Sequence, residues 1–241
     1  MPKSKYEKIY HHLKQKIECG EYPYGELLPS EHTLVPVYAC SRNTLRRALA
    51  ELIEDGYVQS IHGKGVRVIY QPVARTSFTV GGIESFQETA RRNQFKPETN
   101  VIRFSLMDVD DDLSAKTGFA VGEQVYYIQR VRYLNGIARI LDTNVFIASL
   151  VPGLTPEIAA QSIYAYIEDQ LGMQIVTSKR QVTVERASEL DETYLNLGDY
   201  DCLAVVTGQT FNADGMMFEY TQSRHQPDFF CFQDIATRKR V

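Results

Sequence analysis

Apolar positions come first at helical spacing and later at strand spacing. Tyr6, Ile9, Tyr10, Leu13 and Ile17 fall on one face of a helix ringed by Lys5, Lys8, Lys14 and Lys16, and Gly20 and Pro23 end it. Ser30 is a good N-cap, followed by the dipole-matched Glu31. Leu34, Val35 and Tyr38 then face a core, and Pro36 predicts a short or bent helix. Ser41 caps a third helix, whose buried face is Leu45, Ala48, Leu49, Leu52 and Ile53 and whose stop is Gly56. Tyr57, Val58, Ile61 and then Val66, Val68, Tyr70 read as two strands joined at His62-Gly63-Lys64-Gly65. The stretch Gln71-Pro72-Val73-Ala74-Arg75-Thr76 breaks both periodicities and reads as a linker.

Beyond it the period becomes two. Strands are expected over 125–133, 137–146, 174–185, 203–211 and 217–224, with hairpin turns at Asn135-Gly136 and Asp214-Gly215. Residues 162–171 read as a helix with Ile163, Tyr166, Ile167 and Leu171 on one side. The whole is α+β: a small helical domain at 1–70, a linker at 71–77, and a largely antiparallel second domain at 78–241.

Charge changes the picture only when it is divided. The net charge is -4. Residues 1–75 nevertheless carry 11 Lys and Arg against 8 Asp and Glu, a balance of +3, while the rest carries 15 against 22, or -7. The basic Arg42, Arg46, Arg47, Lys64 and Arg67 are expected on one face of the first domain, with Glu51, Glu54 and Asp55 at the far end of its third helix. A positive patch for phosphate can thus exist on an acidic protein. Ser41, Arg42, Asn43, Thr44 and Arg46 lie in the opening turns of the third helix, the end that meets base edges in a helix-turn-helix. Arginine suits guanine and asparagine suits adenine. The glycines around Lys64 let a backbone approach a groove closely. The ordered combination points to a winged helix-turn-helix on duplex DNA.

In the second domain the polar residues inside strands carry the information. Arg130 and Arg132, two apart, share one face. Asp142 sits on the partner strand, and Glu219, Ser223 and Arg224 on a later one, while Ser162 and Tyr164 open a helix. Arginines, hydroxyls and a helix start suit a phosphate, and carboxylates suit sugar hydroxyls. The alternative is a set of exposed cross-strand salt bridges. Other chemistries lack their residues. There is no nucleophile beside a base, no His pair at metal spacing and no phosphate-gripping glycine loop, so neither enzyme, metal nor cofactor is expected. No apolar run approaches the ~18 residues of a membrane span. The N-terminus lacks a signal peptide, and Cys19, Cys40, Cys202 and Cys231 read as buried thiols of a cytoplasmic protein.

The order Leu28-Pro29-Ser30-Glu31, then Ser41-Arg42-x-Thr44-x-Arg46-x-Ala48-Leu49, then Gly63-x-Gly65 resembles the DNA-binding domain of the GntR family of bacterial regulators. The family's arginine after Leu-Pro-Ser-Glu is His32 here. By that resemblance Ser30, His32, Ser41, Arg42, Asn43, Thr44, Arg46, His62, Gly63 and Lys64 are the candidate DNA contacts. The segments Gly82-Ile83-Glu84-Ser85-Phe86-Gln87-Glu88, Arg130-Val131-Arg132, Ser162-Ile163-Tyr164 and Glu219-Tyr220-Thr221-Gln222-Ser223-Arg224-His225 resemble the effector-binding UTRA domain of the HutC subgroup, which has a chorismate-lyase-like fold. The resemblance implies a homodimeric repressor on a palindromic operator, freed by a small effector. It assigns phosphate to Ser85, Arg130, Arg132, Ser162 and Tyr164, and sugar to Asp142, Arg180 and Glu219, with Phe86, Ser223 and Arg224 among the effector-binding residues beside them. Residues 161–172 and 220–225 are similar to trehalose-responsive repressors of Gram-positive bacteria, which implies trehalose 6-phosphate. Glucosamine 6-phosphate, N-acetylglucosamine 6-phosphate or a carboxylic metabolite stay open, as does a lyase carrying a DNA-binding head.

Overall fold

The computed structural model describes residues 4–71, 78–80 and 83–232. The chain divides into two compact units, with the break between residues 74 and 75. The linker expected at 71–77 lies, apart from residue 71, outside the described residues.

The first unit is α1 (Lys5–Glu18), α2 (Glu31–Val37), α3 (Arg42–Glu54) and the antiparallel hairpin of β1 (Val58–Ile61) and β2 (Gly65–Val68). Each helix begins where its cap dictates: Thr33 N–H donates to Ser30 Oγ at 3.2 Å, and Thr44 N–H to Ser41 Oγ at 3.1 Å. α2 is only seven residues long and carries Pro36 next to its last residue, as the proline predicts. Ile9, Leu13, Ile17, Leu34, Leu45, Leu49, Leu52, Val58 and Val68 share one core, so helical stripes and hairpin close on each other. An isolated bridge from Leu27 to Arg67 adds a third edge to the hairpin.

The second unit is built on a six-stranded antiparallel sheet. Its strands are β4 (Pro97–Asp108), β5 (Gln124–Leu134), β6 (Ile137–Ile147), β7 (Ile175–Arg186), β8 (Cys202–Asn212) and β9 (Met217–His225), in the order β4-β5-β6-β9-β8-β7. Asn135 and Gly136 turn β5 into β6 with φ of 52° and 80°, the positive pair a two-residue hairpin needs. From β6 the chain crosses through α6 (Pro156–Ala160), α7 (Ile163–Ala165) and a π-helical turn (Tyr166–Gln170) to the far edge of the sheet. The single helix expected over 162–171 is thus an α-turn that widens into a π-turn. Its Ile163 and Ile167 pack with Ile128, Phe146 and Phe218. Strand β3 (Phe78–Val80) pairs in parallel with β10 (Phe230–Phe232), and α4 (Phe86–Arg92), α5 (Asp111–Thr117) and α8 (Glu189–Tyr194) complete the unit.

All four cysteines are free. None is buried: Cys19 is exposed and the others are half-buried, which corrects the reading of them as core thiols. Cys19 follows the last residue of α1, and the apolar stripe of that helix ends at Ile17.

Candidate functional site

Two places gather the residues singled out from the sequence, one in each unit. In the first, the caps hold Ser30 and Ser41 at the starts of α2 and α3. His32, Arg42, Asn43 and Arg46 are exposed on those helices, with Thr44 half-buried against its cap. His62, Gly63 and Lys64 form an exposed turn closed by Lys64 N–H donating to the Ile61 carbonyl at 3.0 Å. Gly63 and Gly65 have φ of 70° and 118°, so the turn needs glycine at both places. Arg47, expected on the basic face, is exposed but engaged. Its guanidinium lies 3.7 Å from the Tyr6 ring centre and donates to the Tyr6 hydroxyl at 3.0 Å, so it fastens α3 to α1.

In the second unit, one face of the sheet, α4 and the start of α7 line an open-mouthed cavity of about 160 Å³. Strand register explains who lines it. Arg130 stands opposite Asp142, and Asp142 opposite Ser223, so alternate residues of β5, β6 and β9 point the same way. Arg130, Arg132, Asp142, Ser162, Tyr164, Arg180, Glu219 and Ser223 all line it, as do Ser85 and Phe86 from the start of α4. A Cβ on Gly208 would meet Thr221 at 3.1 Å, so the glycine in β8 keeps the floor open beside Ser178 and Arg180.

Arg224 does not belong with them. It is one residue out of phase on β9, hence on the opposite face of the sheet. There its Nε donates to Asp191 at 2.9 Å, its Nη1 to Glu185 at 2.5 Å and its Nη2 to the Arg186 carbonyl at 2.9 Å. Sequence reading took Ser223 and Arg224 together, and a strand cannot aim both into one cavity.

The lining is a connected network whose Arg130, Arg132, Asp142, Asn144 and Glu219 are buried. Arg132 Nε donates to Asp142 Oδ2 at 2.7 Å and its Nη1 to Thr99 Oγ1 at 2.8 Å, while the guanidinium lies 4.8 Å from the Phe86 ring centre. Arg130 donates through Nη2 to Asn144 Oδ1 at 2.7 Å and through Nη1 to the Ala159 carbonyl at 3.1 Å. Asn144 passes its own amide hydrogens to Glu219 at 3.1 Å and Thr221 at 3.0 Å, and the Tyr164 hydroxyl donates to Glu219 at 2.7 Å. Asn144 was missed in the sequence, although it lies two residues after Asp142 on the same strand face.

Arg130 is the unbalanced member. It is 4% exposed, makes no salt bridge among the described residues, and keeps a buried Nε without a hydrogen-bond partner. Burial and the like charge of Arg132 push it down to about 9. Asp142 and Glu219 pull the other way without offsetting this, and the guanidinium stays charged at neutral pH. Burial raises Asp142, but Arg132 and Arg130 outweigh it and hold the carboxyl below its ordinary value. Glu219 goes the other way: burial raises it, against hydrogen bonds from Tyr164 and Asn144. Burial and Glu219 keep the Tyr164 phenol protonated as a donor. The two buried arginines offer donors to an anionic guest, and the hydroxyls and acids around them offer partners to a polyol.

His225 also lines the cavity, its ring tilted against that of Phe230 with the centres 4.9 Å apart, and burial pushes it down to about 4. The unfolded chain therefore takes up this proton near pH 6.5 and the folded chain only near 4. Stability conferred by neutral His225 should be intact above pH 6.5 and decline as pH falls toward 4, by ~3 kcal/mol in all. Urea unfolding of wild type and His225→Gln between pH 7 and 4 checks this, because the substitution should flatten that part of the profile.

The comparisons with known proteins agree with this division. The model described as "Bacterial regulatory proteins, gntR family" matches residues 5–68, and that of the UTRA domain matches residues 92–230. The HTH-type transcriptional regulator TreR of Bacillus subtilis (strain 168) is 36% identical over 238 residues, covering 99% of both chains. The mannosyl-D-glycerate transport/metabolism system repressor MngR of Escherichia coli (strain K12) is 27% identical over 234 residues, 97% of this chain and 96% of that one. Among solved structures, the effector binding domain of the B. subtilis trehalose repressor is 34% identical with a TM-score of 0.54, over 59% of this chain and 99% of its own. The possible transcriptional regulator YydK of B. subtilis shares the fold, with a TM-score of 0.82 at 23% identity over 98% of this chain and 100% of that one. No helix among the described residues is long and apolar enough to cross a membrane. Two domain models matched in order, and a relative that matches from end to end, make the chain a member of the GntR family of bacterial regulatory proteins: a transcriptional regulator with an N-terminal helix-turn-helix and a C-terminal UTRA domain.

Proposed function

We propose that this regulator represses a trehalose-utilisation operon in the cytoplasm, as a homodimer on a palindromic operator, and is released by trehalose 6-phosphate. The observation that carries the reading is Arg130, a buried guanidinium with an unused Nε and no carboxylate of its own, next to Arg132 in a cavity also lined by Asp142 and Glu219. A phosphate supplies the missing anion, with the Ser85, Ser162 and Tyr164 hydroxyls around it. Asp142, Arg180, Glu219 and Ser223 then accept from or donate to sugar hydroxyls. Similarity to a trehalose repressor supports the sugar. In the DNA-binding unit, Arg42, Asn43, Thr44 and Arg46 face the major groove, with His32 near the backbone and His62, Gly63 and Lys64 at the wing.

Residues 83–87, which wall the cavity, follow shortly after the linker. A ligand that fixes them acts on the chain leaving the DNA-binding unit. It loosens the operator only so far as it binds the DNA-free arrangement better.

Titration calorimetry of the full chain tests the ligand. Heat with trehalose 6-phosphate is expected; none with it, together with heat from glucosamine 6-phosphate or N-acetylglucosamine 6-phosphate, would move the assignment. Turnover of chorismate would make the second domain an enzyme. The dimer has a candidate seam in β7, an edge strand of 12 residues carrying exposed Val176, Val182 and Val184, the last 73% exposed. Val184→Lys should shift the protein toward monomer in light scattering and weaken a two-half-site operator far more than a single half-site.

A further inference from the structure

Glu31 is an acid on a face that has to approach a polyanion, where a carboxylate opposes binding. Its geometry gives a reason for it. Arg46 Nε donates to both Glu31 oxygens, at 2.9 and 3.1 Å, across the gap between α2 and α3. Each residue is fixed by its own helix: Glu31 is the first residue after the Ser30 cap, and Arg46 lies in the second turn after the Ser41 cap. The two helices are locked by Leu34 and Leu45 in one core. The Arg46 side chain is 62% exposed and that of Glu31 35% exposed, so the pair contributes little to stability. What it settles is direction. With Nε engaged, the two terminal amino groups of Arg46 remain on the outward edge of the guanidinium, without a partner among the described residues. That edge is a flat two-donor fork, matched to a pair of acceptors about as far apart as guanine O6 and N7, or two phosphate oxygens.

We propose that Glu31 is a positioning residue for DNA recognition, clamping Arg46 so that its outer edge meets a fixed pair of acceptors on the duplex. This rests on DNA binding by the helix-turn-helix, and it adds a specificity role for an acid that touches no DNA. A free arginine would find many geometries on many sequences; a clamped one favours the sequence that puts its acceptors in register.

The test uses the full-length protein on a palindromic duplex that it has itself selected from random sequence, against a scrambled duplex of the same length. Glu31→Asp keeps the acid at the helix start but shortens the arm, so the melting temperature should hold. Cognate affinity should fall about tenfold, with scrambled-duplex affinity within about twofold of wild type. In an Arg46→Ala background the same substitution should have no further effect. Equal discrimination by Glu31→Asp and wild type, or additive losses in the double variant, would overturn the proposal. If wild type selects no duplex at all, the failure lies with DNA binding itself. Substituting 7-deazaguanine or methylphosphonate at single positions of the selected duplex identifies the acceptor: the wild-type advantage over Glu31→Asp should vanish at one such position, and its survival at all of them would also overturn the proposal.

Discussion

An Arg130→Ala regulator should stay on its operator at trehalose 6-phosphate concentrations that release the wild type. The substitution removes the one buried guanidinium without a salt bridge among the described residues, and with it the strongest electrostatic reason for a phosphate to enter. A charge-assisted hydrogen bond contributes about 1.5–3 kcal/mol, so losing two of them lowers effector affinity by roughly 150-fold or more. Operator affinity without effector should match wild type, because Arg130 lies in the second unit and the reading residues in the first. Two acceptors, Asn144 Oδ1 and the Ala159 carbonyl, lose their donor, so some stability is lost as well. Arg130→Lys separates the effects: it keeps the charge and loses the planar fork, and it should recover part of the response. Gel shifts with and without effector, beside circular dichroism melts, measure both. A variant that melts normally and releases DNA as wild type does would take the phosphate away from Arg130.

Asp142→Ala should be the most destabilising single change in the cavity. It leaves the buried Arg132 guanidinium, 4% exposed, against the Thr99 hydroxyl and the Phe86 ring with no carboxylate to answer its charge among the described residues. Breaking a buried ion pair from one side costs about 3–5 kcal/mol, a large fraction of a domain's stability. Asp142→Asn keeps an acceptor for Arg132 Nε and should cost less. The double variant Arg132→Met with Asp142→Leu removes both charges at similar volume and should recover most of the loss in urea unfolding. It should also be deaf to effector, which separates the pair's function from its contribution to folding. A full loss in the double variant would mean that packing, not charge, sets the cost at this place.

How much of this was legible in the sequence depends on the element. The first unit was readable because each signal is local: a cap, a helical stripe, a stop glycine and a glycine-bracketed turn sit within a few residues of each other, and Ser30, Ser41, Gly56, Gly63 and Gly65 mark the ends of its elements. In the second unit, the long strands with turn pairs at Asn135-Gly136 and Asp214-Gly215 were found within a residue or two. β4 was not. Its alternation is broken by a bulge between Val101 and Arg103, so its apolar residues do not keep one phase. The short β3 and β10 pair with each other from opposite ends of the domain, a match no local window contains.

The cavity was readable as far as period two carries. Arg130 with Arg132, and Asp142 with its cross-strand partners, follow from counting along strands. The same count should have removed Arg224 and added Asn144. Arg224 was kept because it is charged and adjacent to Ser223; the bonds to Asp191 and Glu185 that hold it on the other face come from α8 and β7, distant in sequence. Arg47 is the parallel case in the first unit, an exposed basic residue whose guanidinium is engaged by Tyr6 of another helix. The Glu31–Arg46 pair likewise joins two residues 15 apart in the chain, on different helices.

The central claim is that an anion held by the two buried arginines lowers the hold of the first unit on DNA. Fluorescence anisotropy of the full-length protein on its selected operator, titrated with trehalose 6-phosphate, measures this directly. Operator affinity should fall about 5- to 150-fold at saturation, and the effector should bind the operator-bound protein more weakly by that same factor. Operator affinity that is unmoved by trehalose 6-phosphate, glucosamine 6-phosphate and N-acetylglucosamine 6-phosphate alike would contradict the account.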